Sequence, residues 1–95
     1  MKNTIFDLSN RTALVTGGSK GLGKAMARGF AEAGANVVIV SRNESELAAA
    51  AKEIAEGTSV KVKTIVADLS KRSEASRLAK ESVAAFGAID ILVNN

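Results

Sequence analysis

Thr16-Gly17-Gly18-Ser19-Lys20-Gly21-Leu22-Gly23 is the stretch on which the fold turns. It follows the apolar run Ala13-Leu14-Val15 and leads into Leu22, Met26, Phe30 and Ala33, which recur at helical spacing. A glycine-rich turn between a strand and a helix is where a phosphate meets free backbone N–H groups and the positive end of a helix dipole. Gly17 suits the tight turn, Gly21 leaves room for a pyrophosphate, and Gly23 lets the helix pack closely on the sheet.

Downstream, the hydrophobic period keeps alternating. Gly34 closes the first helix, and Val37-Val38-Ile39-Val40 reads as a second strand. Asn43 with Glu46 three residues on predicts a capped helix start, with Leu47, Ala51 and Ile54 on its inner face and Gly57 at its end. Residues 60–67 predict a third strand that begins as alternation and becomes a continuous apolar run, as in an edge strand partly open to water. A third helix is expected from about Ser73, with Ala75, Leu78, Val83 and Phe86 mostly on one side, closed by Gly87. Residues 89–93 predict a fourth strand. The order β-α-β-α-β-α-β implies an α/β fold, a doubly wound parallel sheet with helices on both faces and right-handed crossovers.

Composition narrows the function. Ninety-five residues make at most one small domain, and 46% hydrophobic against 24% charged residues argues for a globular chain rather than a disordered one. With no cysteine, histidine, tyrosine or tryptophan, these residues offer no disulfide framework, thiol nucleophile, histidine triad or tyrosine acid. The formal charge of +3 is spread along the chain and the three aromatics are all Phe, so no nucleic-acid partner is expected. The branched apolar runs are too short to span a membrane and Met1-Lys2-Asn3-Thr4 lacks a signal-peptide core, so a cytoplasmic protein with no membrane partner is expected.

Two phosphate loops compete for the glycine stretch. Gly18-x4-Gly23-Lys24 comes one residue short of a nucleoside-triphosphate loop, and Thr64-Ile65-Val66-Ala67-Asp68 resembles the strand whose Asp helps hold magnesium. Ala25 stands where a Ser or Thr hydroxyl must reach the metal, so the metal-binding half of that mechanism fails. The alternative is a dinucleotide site.

Thr16-Gly17-x3-Gly21-x-Gly23 resembles the cofactor motif of the short-chain dehydrogenase/reductase family. Asp68-Leu69 looks like the family's adenine-contacting pair, and Asn94-Asn95 after Ile91-Leu92-Val93 looks like the first half of its Asn-Asn-Ala-Gly motif. The resemblance covers essentially the whole chain. The lead-in Phe6-Asp7-Leu8 is similar to gluconate 5-dehydrogenase-like and 3-oxoacyl-carrier-protein-reductase-like members.

The resemblance implies a Rossmann sheet of about seven strands in the order 3-2-1-4-5-6-7, of which residues 1–95 would hold the first half, a single partial NAD(P)-binding domain with order 3-2-1-4. It implies that Ser19, Lys20, Gly21 and Leu22 line the phosphates and ribose, beside Gly17 and Gly23. Asp68 would accept from the adenine amino group beside the Leu69 backbone, and Asn95 would sit near the adenosine ribose or fix the strand end. After the second strand the chain reads Val40-Ser41-Arg42, with no acid until Glu44. An acid there would hold both ribose hydroxyls of NAD; Ser41, Arg42 and Lys20 instead suit a 2′-phosphate, so NADP is the expected cofactor.

The family's catalytic Ser, Tyr and Lys lie beyond its fourth strand, so no catalytic residue carries over. The expected parent is a homo-oligomeric oxidoreductase moving hydride between NADP(H) and a small carbonyl or alcohol, and the segment alone is expected to be inactive. The competing reading is a stand-alone nucleotide-binding module without chemistry. Ile89, Ile91 and Val93 would face an open, apolar sheet edge that invites self-association.

Overall fold

The computed structural model describes residues 7–95. Phe6 of the lead-in and residues 1–4 lie outside the described residues. The elements run β1 (Thr12–Thr16), α1 (Gly21–Glu32), β2 (Asn36–Ser41), α2 (Glu44–Ala55), β3 (Val62–Val66), α3 (Arg72–Phe86) and β4 (Ile91–Asn94). The four strands form one parallel sheet in the order β3-β2-β1-β4.

The burial of each strand follows from its place in the sheet. β1 is buried throughout and β2 through its four apolar residues, as befits central strands covered on both faces. Val15, Val37 and Ile39 point to the α1–α2 side, where they meet Ala27, Ala31, Leu47, Ala50 and Ile54. Leu14, Val38 and Val40 point to the α3 side, with Ile65, Ala67 and Leu78. The outer strands β3 and β4 alternate instead.

Several faces differ from the sequence expectation. The buried stripe of α1 is Gly23, Ala27 and Ala31; Met26 and Phe30 are half-buried and Leu22 is 67% exposed. Small residues bring the helix axis close to the sheet, which pushes the larger side chains to the flanks. In α3 the buried positions are Leu78 and Ser82, while Val83 is exposed. Ser82 is tolerated there because its hydroxyl donates to the Leu78 carbonyl at 2.8 Å. The alternation of β3 continues through Ile65, Val66 and Ala67, with Val66 turned outward, because β3 is an edge. Ile89 precedes β4 and packs on the α3-side cluster, and Ile91 and Val93 are half-buried; the exposed apolar residue on β4 is Leu92, at 66%.

Local capping sets the helix ends. Gly34 (φ 100°) and Ala35 donate to the carbonyls of Ala31 and Phe30, the paired bonds that close α1. Asn43 caps α2, its Oδ1 accepting from the Glu46 N–H at 3.0 Å. The far end of α2 is capped from outside: Arg28 on α1 donates to the carbonyls of Glu53, Ile54 and Glu56 at 3.1, 2.9 and 2.6 Å, while its Nε pairs with Glu32 at 2.9 Å. Three orphan carbonyls thus share one guanidinium, which also ties α1 to α2. Arg28→Met keeps the stem and removes these bonds; it is expected to cost roughly 1–3 kcal/mol, read as a fall in melting temperature.

Candidate dinucleotide site

An open cleft of about 890 Å³ lies at the carboxyl ends of the strands. Its walls come from the end of every strand: Thr16, Gly17, Ser19 and Lys20 after β1; Val40, Ser41, Arg42, Asn43 and Glu46 after β2; Ala67, Asp68 and Leu69 after β3; Asn94 and Asn95 at β4. Because β1 is flanked by β2 on one side and β4 on the other, the chain leaves β1 in two directions, and this crevice is the switch point where doubly wound sheets bind ligands.

The glycine loop is held by contacts that leave no room for side chains. Gly17 has φ 67°. A Cβ built on Gly23 would stand 2.2 Å from the Gly17 carbonyl oxygen and 2.7 Å from Asn95 Nδ2. The close approach that requires glycine at 23 is therefore to the loop and Asn95, a more specific contact than the helix–sheet packing expected from spacing. Gly18, which carried no role in the dinucleotide reading of the sequence, is also tight: its Cβ would meet Ile39 Cγ2 at 2.6 Å. Gly21 is the opposite case, with φ 60° and nothing within 4 Å of where a Cβ would stand. It opens α1, whose Lys20 cap position makes no side-chain cap bond and whose first turn carries no acid. An uncapped, acid-free helix start with open space at its glycine fits a phosphate group.

The β1 and β4 ends are laced together by Thr16. Its hydroxyl lies 3.3 Å from the Val93 carbonyl and 3.2 Å from Asn94 Oδ1 as donor, and it accepts from the Asn95 N–H at 3.0 Å. Asn95 Nδ2 in turn donates to the Gly17 carbonyl at 3.4 Å. In the sequence Thr16 and Asn94 stood only as members of the glycine and Asn-Asn motifs, with no role of their own; the lacing follows from their place at the ends of adjacent parallel strands.

After β2, the Ser41 hydroxyl accepts from the Asn43 N–H at 3.0 Å, which leaves its own proton to donate into the cleft. Arg42 is exposed beside it. Lys20 Nζ lies 3.7 Å from Glu46 Oε1, an ion pair across the cleft mouth.

After β3, Asp68 Oδ1 accepts from the Ser70 hydroxyl at 2.7 Å and the Ser70 N–H at 3.1 Å. These bonds, together with the nearby charges of Arg42 and Lys71, hold its carboxyl below the usual carboxylate range. The turn is anchored to α3: Glu74 Oε1 accepts from the Asp68 N–H at 3.2 Å, and Arg77 donates to the Val66 carbonyl at 2.7 Å while pairing with Glu74 at 3.1 Å. The Asp68 N–H bond and then the Arg77 pair hold Glu74 low as well. Carboxylates lowered in the folded state stabilise it above their unfolded pKa, and that stability is lost as pH falls through the folded values. Melting temperature is therefore expected to fall below about pH 4. Replacing Glu74 with Gln should flatten that dependence.

Eight of the sequence-predicted residues line the cleft together: Gly17, Ser19, Lys20, Ser41, Arg42, Asp68, Leu69 and Asn95. Gly21, Leu22 and Gly23 do not line it; Gly21 borders a smaller groove between α1 and α2. Lys24, the lysine a nucleoside-triphosphate loop would use, points away and pairs with Glu53 at 2.9 Å. A parallel sheet in the order 3-2-1-4 with a cleft at its switch point has the Rossmann architecture.

The short chain dehydrogenase family model matches residues 11–95, and the chain belongs to that family. It is 45% identical over 91 residues to an oxidoreductase of Mycobacterium tuberculosis, covering 96% of this chain and 34% of that protein. It is 42% identical over 88 residues to the 3-oxoacyl-[acyl-carrier-protein] reductase of Chlamydia muridarum, covering 93% and 36%. Among solved structures, L-sorbose reductase from Gluconobacter frateurii complexed with NADPH and L-sorbose superposes with a TM-score of 0.90 at 36% identity, over 95% of this chain and 34% of that one. A metagenomic short-chain oxidoreductase in complex with NADP gives 0.85 at 39% identity, over 93% and 39%. The chain thus spans about a third of the length of these relatives. No described helix is long and apolar enough to cross a membrane.

Proposed function

We propose that residues 1–95 form the cofactor-binding part of a cytoplasmic, homo-oligomeric oxidoreductase that moves hydride between NADP(H) and a small carbonyl or alcohol substrate. The observation that carries this reading is the cleft at the switch point, whose β2 end presents a serine and an arginine where NAD sites present an acid. When bound, the dinucleotide supplies the hydride; the residues of this chain bind and orient it. The N-terminal turn of α1, with Ser19, Gly21, Leu22 and the Gly17–Gly23 contact beneath, faces the phosphates. Ser41, Arg42 and Lys20 take the 2′-phosphate. Asp68 and Leu69 hold the adenine edge, and Asn95 fixes the β4 end against Gly17.

Titration calorimetry with NADP⁺ and NAD⁺ tests the binding half, with tighter NADP⁺ binding expected. The hydride-transfer half is tested by turnover. Residues 1–95 alone are expected to give no oxidation of NADPH above buffer with a panel of ketones; a rate of about 1 s⁻¹ or more would overturn that expectation. The protein as its gene encodes it is expected to turn over. Dinucleotide binding with no turnover by that protein would favour the second reading, a nucleotide-binding module without chemistry.

A further inference from the structure

Glu46 occupies the third position of α2, where a glutamate ordinarily reaches back to the cap residue's N–H. Here it does not. The Asn43 N–H is already taken by the Ser41 hydroxyl at 3.0 Å. Only half of the reciprocal box forms, through the Glu46 N–H and Asn43 Oδ1. The freed carboxylate turns into the cleft and meets Lys20, whose side chain is largely open to water while that of Glu46 is partly so.

We infer that Glu46 is a specificity-determining residue that restrains the preference for a 2′-phosphorylated dinucleotide. The inference rests on the cofactor reading above, which places the 2′-phosphate among Ser41, Arg42 and Lys20. Glu46 opposes that phosphate in two ways. Its negative charge stands at the same end of the cleft, and it already neutralises Lys20, one of the cations on offer. NAD carries no charge at its 2′ position, so it feels Glu46 only through the pyrophosphate that both dinucleotides share, and responds less than NADP. The residue was legible in the sequence only as a helix cap, and the cap reading hides its reach into the cleft.

The test is titration calorimetry of NADP⁺ and NAD⁺ with the protein as its gene encodes it, wild type and Glu46→Gln, at low and high salt. Glu46→Gln keeps the side-chain shape, and the Asn43 cap does not use its carboxylate. The variant is expected to bind NADP⁺ about two- to fivefold more tightly at low salt, the range of an exposed charge interaction. NAD⁺ affinity should rise less than NADP⁺ affinity, and its retention also reports an intact fold. The gain should shrink at about 1 M salt, where the screening length is roughly 3 Å. An unchanged NADP⁺ to NAD⁺ ratio would overturn the role of Glu46. So would a loss of NADP⁺ affinity, which would mean that Glu46 positions Lys20 for the phosphate, or an equal change for both ligands. If the wild-type protein binds both dinucleotides and prefers NADP⁺, only the inference about Glu46 is at stake. If it binds neither, or prefers NAD⁺, the cofactor reading falls and takes this inference with it.

Discussion

Gly23→Ala is expected to abolish measurable dinucleotide binding and to lower stability by roughly 3 kcal/mol, the upper part of the range for overpacking a tight site. The added Cβ would lie 2.2 Å from the Gly17 carbonyl oxygen and 2.9 Å from its carbon. Both are backbone atoms, so no flexible side chain can swing away. Relief requires moving either the start of α1 or the turn after β1, and the same turn carries the Asn95 contact to Gly17. Gly21→Ala is the informative control. Its Cβ meets nothing within 4 Å, so its cost is the left-handed backbone alone, roughly 1–2 kcal/mol. It places a methyl where the phosphate is proposed to lie. Thermal melts and calorimetry should therefore separate the two: Gly23→Ala loses fold and binding together, Gly21→Ala loses mainly binding. A Gly23→Ala protein that melts like the wild type would show that the loop can shift without cost.

Arg42→Asp should move cofactor preference from NADP toward NAD by on the order of tenfold or more. A charge-assisted contact to a phosphate is worth roughly 1.5–3 kcal/mol, and about 1.4 kcal/mol is tenfold. The introduced carboxylate adds repulsion of the 2′-phosphate and can accept from the free ribose hydroxyls of NAD. Arg42 is exposed at the rim of the cleft and makes no hydrogen bond among the described residues, so its removal should leave the fold intact. The ratio of the two dissociation constants is the readout, measured at one fixed ionic strength. A protein that already prefers NAD, or a ratio unmoved by the substitution, would remove Arg42 from the assignment.

How far the sequence could be read depended on the range of the interaction. The strand–turn–helix around Gly17, the Asn43 cap and the Gly34 helix end are events within a few residues, and each leaves a local pattern. Element order and the 3-2-1-4 sheet were legible because right-handed crossovers and the family motifs leave few alternatives. The helix faces were less so. Hydrophobicity alone favoured Leu22 and Val83 as inner residues, yet α1 turns its small residues inward and leaves Leu22 exposed, because helix–sheet distance, rather than side-chain polarity, selects what fits.

By itself the sequence determined that this is a parallel α/β chain with a glycine-rich turn between its first strand and first helix, since period, punctuation and β-branching are local properties of the chain. Only the tertiary structure decided which groups meet in the cleft and what supports them. Lys20 reaches Glu46, Arg28 closes α2 through the carbonyls of Glu53, Ile54 and Glu56, Glu74 holds the Asp68 turn, and Asn95 clasps Gly17. Most of these partners lie more than twenty residues apart in the chain, and each interaction is too weak and too generic in residue type to leave a pattern of its own. They exist because the sheet order carries the strand ends, and the helices that follow them, to the same place.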